Sequence, residues 1–533
     1  MSTNNEFPER AFVLGLDGVP WYLIERWANA GELPNFARVV EEGAAGPLQS
    51  TTPATTPLAW PSIATGTWPD KHGIYGFHHT TNDYHQRMYT SEHVRQPELW
   101  DLLSPALVGN VPMTYPAREF DGRMVTGMTT PSRDGSFTYP RSLAAEIQER
   151  IADYRIGLDW SEYTDDRERF LADLSSLVNA RRELMRLFME TDDWRLFFFV
   201  YTAPDRLQHL VWEEGPMLDH YRFLDDVLGE VMDYVQAHDA ALFVVSDHGF
   251  GPISKNVYLN RVLEEAGYLV AADNTGARGT LASLGVSREA VRTTLQSLGI
   301  SDELLFRYLP REAIDRVADT LPGEHALFDV DHAKTKAFAT SHGLLYVNDS
   351  RRFQEGVVDP ADVPAVKREL SALFRDVTDP DTGERALSVS DGAELFPTDE
   401  RAPDLVVVGR DGYQHARSLK DHVFEPSGKA KAASHRSEGV FLAWGPTIEP
   451  GSTPADATVV DVAPTVLHSL GEPVGEAMDG RVLQEVVRSD SAPGQRSVER
   501  VAYALDRNEP AVDTSEEDYG EVEHRLHGLG YLE

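Results

Sequence analysis

Three apolar runs in this chain stop abruptly at acid or imidazole side chains. They are AFVLGLDG (11–18), RLFFFVYTAPD (195–205) and ALFVVSDHGFG (241–251). Apolar side chains at consecutive positions mean burial on both faces, as in the strands of a parallel sheet. DLVVVGR (404–410) and GVFLAWGP (439–446) read as two more strands. Helical periodicity fills the intervals, in WYLIERWANAG, RSLAAEIQERI, LVNARRELMRLFMET and HYRFLDDVLGEVMDYVQAH. This alternation predicts an α/β fold with a mostly parallel central sheet and helices on both faces.

Two regions interrupt the rhythm. Residues of about 270–335 carry helical segments without a strong strand, which suggests a helical insertion or cap. Residues of about 340–425 contain GLLYVN among polar loops and read as a small subdomain. The expected organisation is one catalytic domain over 1–490, with the insertion at about 270–425, and an acidic tail over 491–533. No internal repeat or low-complexity tract is evident.

Charge and cysteine content narrow the function. With 86 acidic against 49 basic residues the formal charge is −37, and the acids are spread along the whole chain. Hydrophobic residues make up 41% of the sequence, so the acids accompany a normal core pattern rather than a disordered one. A hydrated surface adapted to high salt fits this balance, since screening weakens self-repulsion. Such a field repels nucleic-acid polymers and anionic membranes, except at a local pocket that holds cations. There are no cysteines, which removes disulfides, thiolate metal sites and cysteine nucleophiles. The start, MSTNNEFPER, lacks the apolar core of a signal peptide, and LFFFVYTAP is too short to span a bilayer. The expected location is the cytoplasm.

In open α/β sheets, ligands bind beyond the carboxyl ends of the strands. There the sequence places Asp17, then Asp205 in DRLQH, then Asp247 and His248; His435 lies just before GVFLAW. Asp205 and His209 are four residues apart, so on a helical turn they share one face. Each element alone has a plainer reading: Asp205 as a helix cap, Asp17-Gly18 as a turn, Asp247 as the cap of a following helix. Together, three aspartates and three histidines supply enough oxygen and nitrogen ligands for two divalent cations, if one more oxygen completes the set. Two such cations suit in-line displacement at phosphorus. The stretch TTPLAWPSIATGTWPDKHGI (55–74) offers that oxygen. A helix beginning near Ala59-Trp60-Pro61 would put a hydroxyl at its positive end, with Pro61 in the first turn. By local sequence alone, Thr55 or Thr56 reads as a simple cap of this helix.

Seven motifs in order, LGLDG, TPLAWPSIATGTWPDKHGI, NVPMTYP (110–116), DRLQHLVW, VVSDHGFGP, SHRSEGVFLAWGP and DVAPTVLHSLGEPVGEAMDGR (461–481), resemble the alkaline phosphatase superfamily. Within it they resemble the type I phosphodiesterase/nucleotide pyrophosphatase family. The closing HRLHGLGYLE is similar to tails of prokaryotic members. The resemblance implies an alkaline phosphatase-like fold and a threonine nucleophile nine residues before the threonine of the Thr-Gly pair, which is Thr56. It implies one metal held by Asp205, His209 and His435, and a second held by Asp17, Thr56, Asp247 and His248. Zinc suits these ligands, with manganese as the alternative. Thr56 would attack phosphorus, release an alcohol or phosphate, and leave a phosphothreonine for water to cleave. The partner implied is a small-molecule phosphate ester.

The T-x-x-A-W pattern resembles archaeal and bacterial members, and with the acidic surface points to a haloarchaeal branch. Ala59 leaves oxyanion stabilisation to the metals, to backbone N–H groups, and to a side chain that the sequence does not place. A phosphomonoesterase or a phosphoryl-group transferase of the same superfamily are the alternatives; a catalytically silent metal scaffold is disfavoured by the full ligand set. Sulfatases need Cys or Ser in a C/S-x-P-x-R setting, where this chain has TPLAW. His72, Lys71, Trp60, His78, His79, Tyr115 and His342 all have structural readings beside functional ones.

Overall fold

The computed structural model describes residues 6–133, 135–163, 166–272, 330–428 and 432–504, with 522, 525 and 526. Among them, the strands Ala11–Leu16, Leu196–Tyr201 and Ala241–Val245 form the centre of an eight-stranded sheet. Across that sheet the order is Ala44–Gln49, Glu438–Trp444, Ala241–Val245, Ala11–Leu16, Leu196–Tyr201, Ala106–Gly109, Gly122–Val125, Thr138–Tyr139. The five strands from Ala241–Val245 to Gly122–Val125 are mutually parallel.

Alternation along these strands splits the core into two layers. Phe12, Leu14 and Leu16 face the helices Trp21–Asn29, Pro34–Glu42, Arg167–Met189 and Glu214–Ala237. Ala11 and Val13 face the helices Thr56–Thr65 and Val462–Ser469. Every residue of the three central strands is buried, because helices cover both sides. Each large apolar side chain so buried contributes about 1.5–3 kcal/mol. The α/β fold with helices on both faces is the one expected from the sequence.

The edge strands determine what reaches the site. Glu438–Trp444 is antiparallel to both of its neighbours. Its beginning therefore lies at the edge where the central strands end, and residues just before it arrive there. Ala44–Gln49, antiparallel to Glu438–Trp444 in turn, runs in the central direction and delivers residues 50–55 to the same edge. Its sequence AAGPLQ carries Gly46 and Pro47, residues more usual in turns than in strands. Proline is tolerated here because the strand is at the edge of the sheet.

One expected strand has a different home. Leu405–Gly409 lies in a separate antiparallel sheet with Ala337–Ala339, Leu344–Val347 and Leu387–Asp391. That sheet packs on the helix Val363–Arg375 around Phe338, Leu370, Phe374 and Val407. The end of its Leu405–Gly409 strand is only partly buried, as expected for a small sheet with one covered face. Most of the expected helical segment at 270–335 lies outside the described residues. Beyond 490, Arg500–Val501 pairs with Val474–Gly475, and Val522 and Leu526 join the core. Among the described residues no helix is long and apolar enough to cross a membrane.

Candidate active site

The three parallel central strands end side by side, and each delivers an aspartate within a few residues. Asp17, Asp205, Asp247 and His248 are fully buried, and His209 nearly so. Asp205 and His209 sit on the helix Ala203–Leu210, whose N-cap is Thr202. Asp205 is therefore not a cap; it turns inward one helical turn from His209, with Oδ1 3.5 Å from His209 Nε2. Asp247-His248 do not start a helix either, since the strand Gly249–Tyr258 follows at once. That strand pairs antiparallel with Ala433–Arg436, and the register sets Phe250 opposite His435. This pairing brings His435, distant in sequence, to within 3.3 Å of Asp205 Oδ1 and 3.0 Å of His209 Nε2.

Gly18 holds two of these strand ends together. Its N–H donates to Asp247 Oδ1 at 3.1 Å, and its carbonyl accepts from Gln208 Nε2 at 2.7 Å. Its φ is +71°, and a Cβ there would stand 2.9 Å from the Cβ of Asp205. Gly18→Ala is expected to add about 1–2 kcal/mol of backbone strain and to push Asp205 outward. The expected result is a lower urea midpoint together with weaker metal affinity by titration; unchanged metal affinity would show that Asp205 does not need this close approach.

The helix Thr56–Thr65 starts three residues before Ala59, so Pro57 occupies the first turn and Pro61 lies inside. An interior proline costs about 3 kcal/mol in an isolated helix. Here tertiary packing outweighs it, because every residue of the helix is buried. Trp60 packs on Gly15, where a Cβ would meet its ring at 2.4 Å, and its Nε1–H donates to Asp17 Oδ2 at 3.2 Å. Trp60 is thus a core residue that also orients Asp17, a link the sequence did not reveal. Thr56, at the helix start, has Oγ1 3.2 Å from His248 Nε2 and 3.4 Å from Asp17 Oδ1.

Electrostatics at this edge call for positive charge. Burial, reinforced by Asp247 and Asp205, pushes the Asp17 carboxyl well above the usual range. Burial, with Asp205 next to it, does the same to Asp247, whose Oδ2 has no hydrogen-bond partner. Burial also acts upward on Asp205, but His209, His435 and His248 together outweigh it and hold its carboxyl below the ordinary range. Burial, then His435, lowers His248 to about 3, so its imidazole is neutral. His248 Nδ1 lies 3.1 Å from the Gly249 carbonyl, so it carries the proton and Nε2 turns a lone pair toward the carboxylates. Ligand atoms of Asp205, His248 and His435 lie within 4.8 Å of one another, and so do those of Asp17, Asp247 and His248. Buried acids, a neutral imidazole and an unpartnered carboxylate oxygen are a donor set that fits divalent cations.

Several other candidates fall elsewhere. Lys71 Nζ is engaged by Asp479 at 2.5 Å and the Ala477 carbonyl at 2.9 Å. His72 is buried, meets Ser62 Oγ at 3.0 Å and accepts from Ile74 N–H, a structural brace for the Thr56 helix. Tyr115 is in the core, and His79 stands with Tyr89 and His93. His342 lines the cleft over the site, together with His415 and Arg436, which sequence reasoning did not single out. The cleft has a volume of about 810 Å³ and is bounded by residues 51–55, His209, His435 and the 384–416 part of the small subdomain.

A cation-ready cluster of aspartates and histidines at the carboxyl edge of an α/β sheet, with a hydroxyl in its midst, defines the class as a metallohydrolase. The sequence matches the family "Type I phosphodiesterase / nucleotide pyrophosphatase" over residues 11–440, and the chain belongs to that family of metal-dependent phosphoric ester hydrolases. No curated protein matches its sequence. Among solved structures it is similar to murine ectonucleotide pyrophosphatase/phosphodiesterase 5, at 13% identity and a TM-score of 0.48, over 90% of this chain and 100% of that one. An inactive threonine-to-alanine form of the same murine protein, in complex with AMP, is 12% identical with a TM-score of 0.48 and the same coverage.

Proposed function

We propose that the protein hydrolyses small-molecule phosphodiesters with Thr56 as nucleophile and two divalent cations, zinc or alternatively manganese, as cofactors. Asp205, His209 and His435 would hold one cation, and Asp17, Thr56, Asp247 and His248 the other. The observation that carries this reading is the position of Thr56 Oγ1, at a helix start and within 3.4 Å of both Asp17 and His248. When bound, the cations supply Lewis acidity toward the phosphoryl oxygens and toward the attacking and leaving groups. The chain's own residues do the rest. Thr56 Oγ1 gives up its proton and forms a bond to phosphorus as the bond to the leaving oxygen breaks and that oxygen departs as an alcohol; the threonine then carries the phosphoryl group with its remaining ester, and water cleaves it to free Oγ1 and a phosphomonoester. Trp60 and Gly18 fix the aspartates so that little reorganisation is needed. A cleft of about 810 Å³ leaves room for a second ester group, which favours a diester over a monoester.

The organisation that goes with this reading is a catalytic domain over 1–490, with an insertion at about 270–425, and an acidic tail over 491–533. The charge of −37 supports a salt-adapted, haloarchaeal setting, and the absence of cysteines is compatible with a cytoplasmic one. The test is hydrolysis of bis-p-nitrophenyl phosphate, p-nitrophenyl phosphate and p-nitrophenyl thymidine monophosphate in high salt with zinc or manganese. The diesters are expected to turn over faster. A monoester preference would make the protein a phosphomonoesterase, and a glycerol adduct as main product with glycerol present would make it a transferase.

A further inference from the structure

On the helix Ala203–Leu210, Gln208 falls between Asp205 and His209, the two proposed ligands of one cation. An amide in a protein interior needs partners at both of its ends. Gln208 is fully buried and has them. Its Nε2 donates to the Gly18 carbonyl at 2.7 Å, and its Oε1 accepts from the Tyr221 hydroxyl at 3.1 Å. These partners fix which way the amide faces, since a carbonyl can only accept. Tyr221 lies on the helix Glu214–Ala237. Burial, reinforced by Tyr22, pushes its phenol well above the usual range, so the hydroxyl keeps its proton and donates.

The chain of bonds continues past Gly18. The Gly18 carbonyl belongs to the same peptide group as the Val19 N–H, which donates to Ser246 Oγ at 2.9 Å. Ser246 Oγ in turn donates to the His248 carbonyl at 2.6 Å. Four bonds thus run head to tail from Tyr221 to His248, through a side-chain amide, a peptide group and a hydroxyl. Tyr221, Gln208, Val19, Ser246 and His248 are all fully buried, and aligned bonds in such surroundings polarise one another. A branch from Gly18 N–H to Asp247 Oδ1, at 3.1 Å, reaches one more proposed ligand. The chain therefore ties the helix that carries Asp205 and His209 to the turns that carry Asp17, Asp247 and His248.

We propose that Gln208 is a positioning residue that couples the two halves of the site, so that the ligand groups keep one fixed separation and the protein takes up its two cations as a coupled pair. Two divalent cations repel each other, and a slack frame would let the two ligand groups drift apart. In a frame locked by Gln208, ordering of one ligand group by the first ion also orders the other, and the second ion finds its ligands in place. The proposal rests on the two-cation reading given above.

Gln208→Met keeps the length of the side chain and removes both of its bonds. Tyr221→Phe removes only the outer bond and keeps the ring against Trp27. The experiment titrates the metal-free full chain with manganese in a calorimeter, records the electron paramagnetic resonance spectrum of the loaded protein, and measures the urea midpoint. Wild type is expected to bind two manganese ions and to show the spectrum of an exchange-coupled pair. Gln208→Met is expected to weaken the second binding step by about 10- to 100-fold, the usual range for a partner behind the ligands, and to change the exchange coupling. Tyr221→Phe is expected to shift both readings in the same direction by a smaller factor. A brace that serves folding alone would lower the urea midpoint and leave the affinities and the coupling of the folded protein as in wild type. That result overturns the proposal and leaves the two-cation reading standing. Should Gln208→Met not fold, Tyr221→Phe decides by the same two readings. A wild type that binds a single manganese ion overturns the two-cation reading and the proposal with it.

Discussion

Thr56→Ala is expected to lower diester turnover by about 10⁴-fold or more in the metal-loaded protein, the scale seen when a covalent nucleophile is removed. Only one hydroxyl lies within reach of both Asp17 and His248 in the described structure, and alanine removes it without disturbing the helix that carries it. The position is fully buried, and alanine is the best helix former, so folding is expected to survive. Thr56→Ser keeps an oxygen and is expected to retain part of the activity, with looser placement because serine lacks the branch that restricts χ1. Acid quenching during turnover, followed by intact-mass measurement, should trap a phosphoryl adduct on wild type and none on Thr56→Ala. An adduct on Thr56→Ala, or full activity in that variant, would place the nucleophile elsewhere.

Removing metal is the second large perturbation. Chelation is expected to abolish hydrolysis and to lower stability. A cation that binds only the folded state adds about 4 kcal/mol at a thousandfold excess over its Kd. The pH dependence has a definite sign. In the metal-free protein, Asp17 and Asp247 have carboxyls raised well above their unfolded value of 3.8. Their contribution to stability is fully present below that value and is lost as pH rises through the folded values. A cation needs both carboxylates ionised, so its binding releases protons and strengthens over the same window. His248, neutral down to about pH 3, adds no proton to release. Urea unfolding with chelator and with zinc or manganese, run from pH 5 upward, should therefore show a stability gap that widens with pH. A gap independent of pH would mean that these carboxylates are not ligands.

Much of the site was legible because a parallel sheet puts chemistry where its strands stop. AFVLGL, RLFFFVY and ALFVVS are buried on both faces and can be little else than central strands, and each ends within a few residues of Asp17, Asp205 or Asp247. The spacing of Asp205 and His209 matches one helical turn, and the helix is there. Position in the sheet is a consequence of burial pattern, which the sequence records directly.

Other features depended on pairings between distant segments. His435 reaches the site only because the Ala433–Arg436 strand pairs with Gly249–Tyr258 in one register; a slip of one residue would turn its ring to the other face. Leu405–Gly409 looks like a central strand in sequence, but its partners make it part of the small sheet beside the cleft. The Thr56 helix starts earlier than its prolines suggest, since burial against Gly15 and the sheet outweighs an interior proline. The same start leaves Thr55 Oγ1 without a capping bond. By itself the sequence determined the fold class, the edge where acids and imidazoles gather and the residues available there, because these follow from local periodicity and strand ends. The tertiary structure alone decided which side chains meet and which hydroxyl lies among the aspartates, because those depend on strand register and packing between segments far apart in the chain.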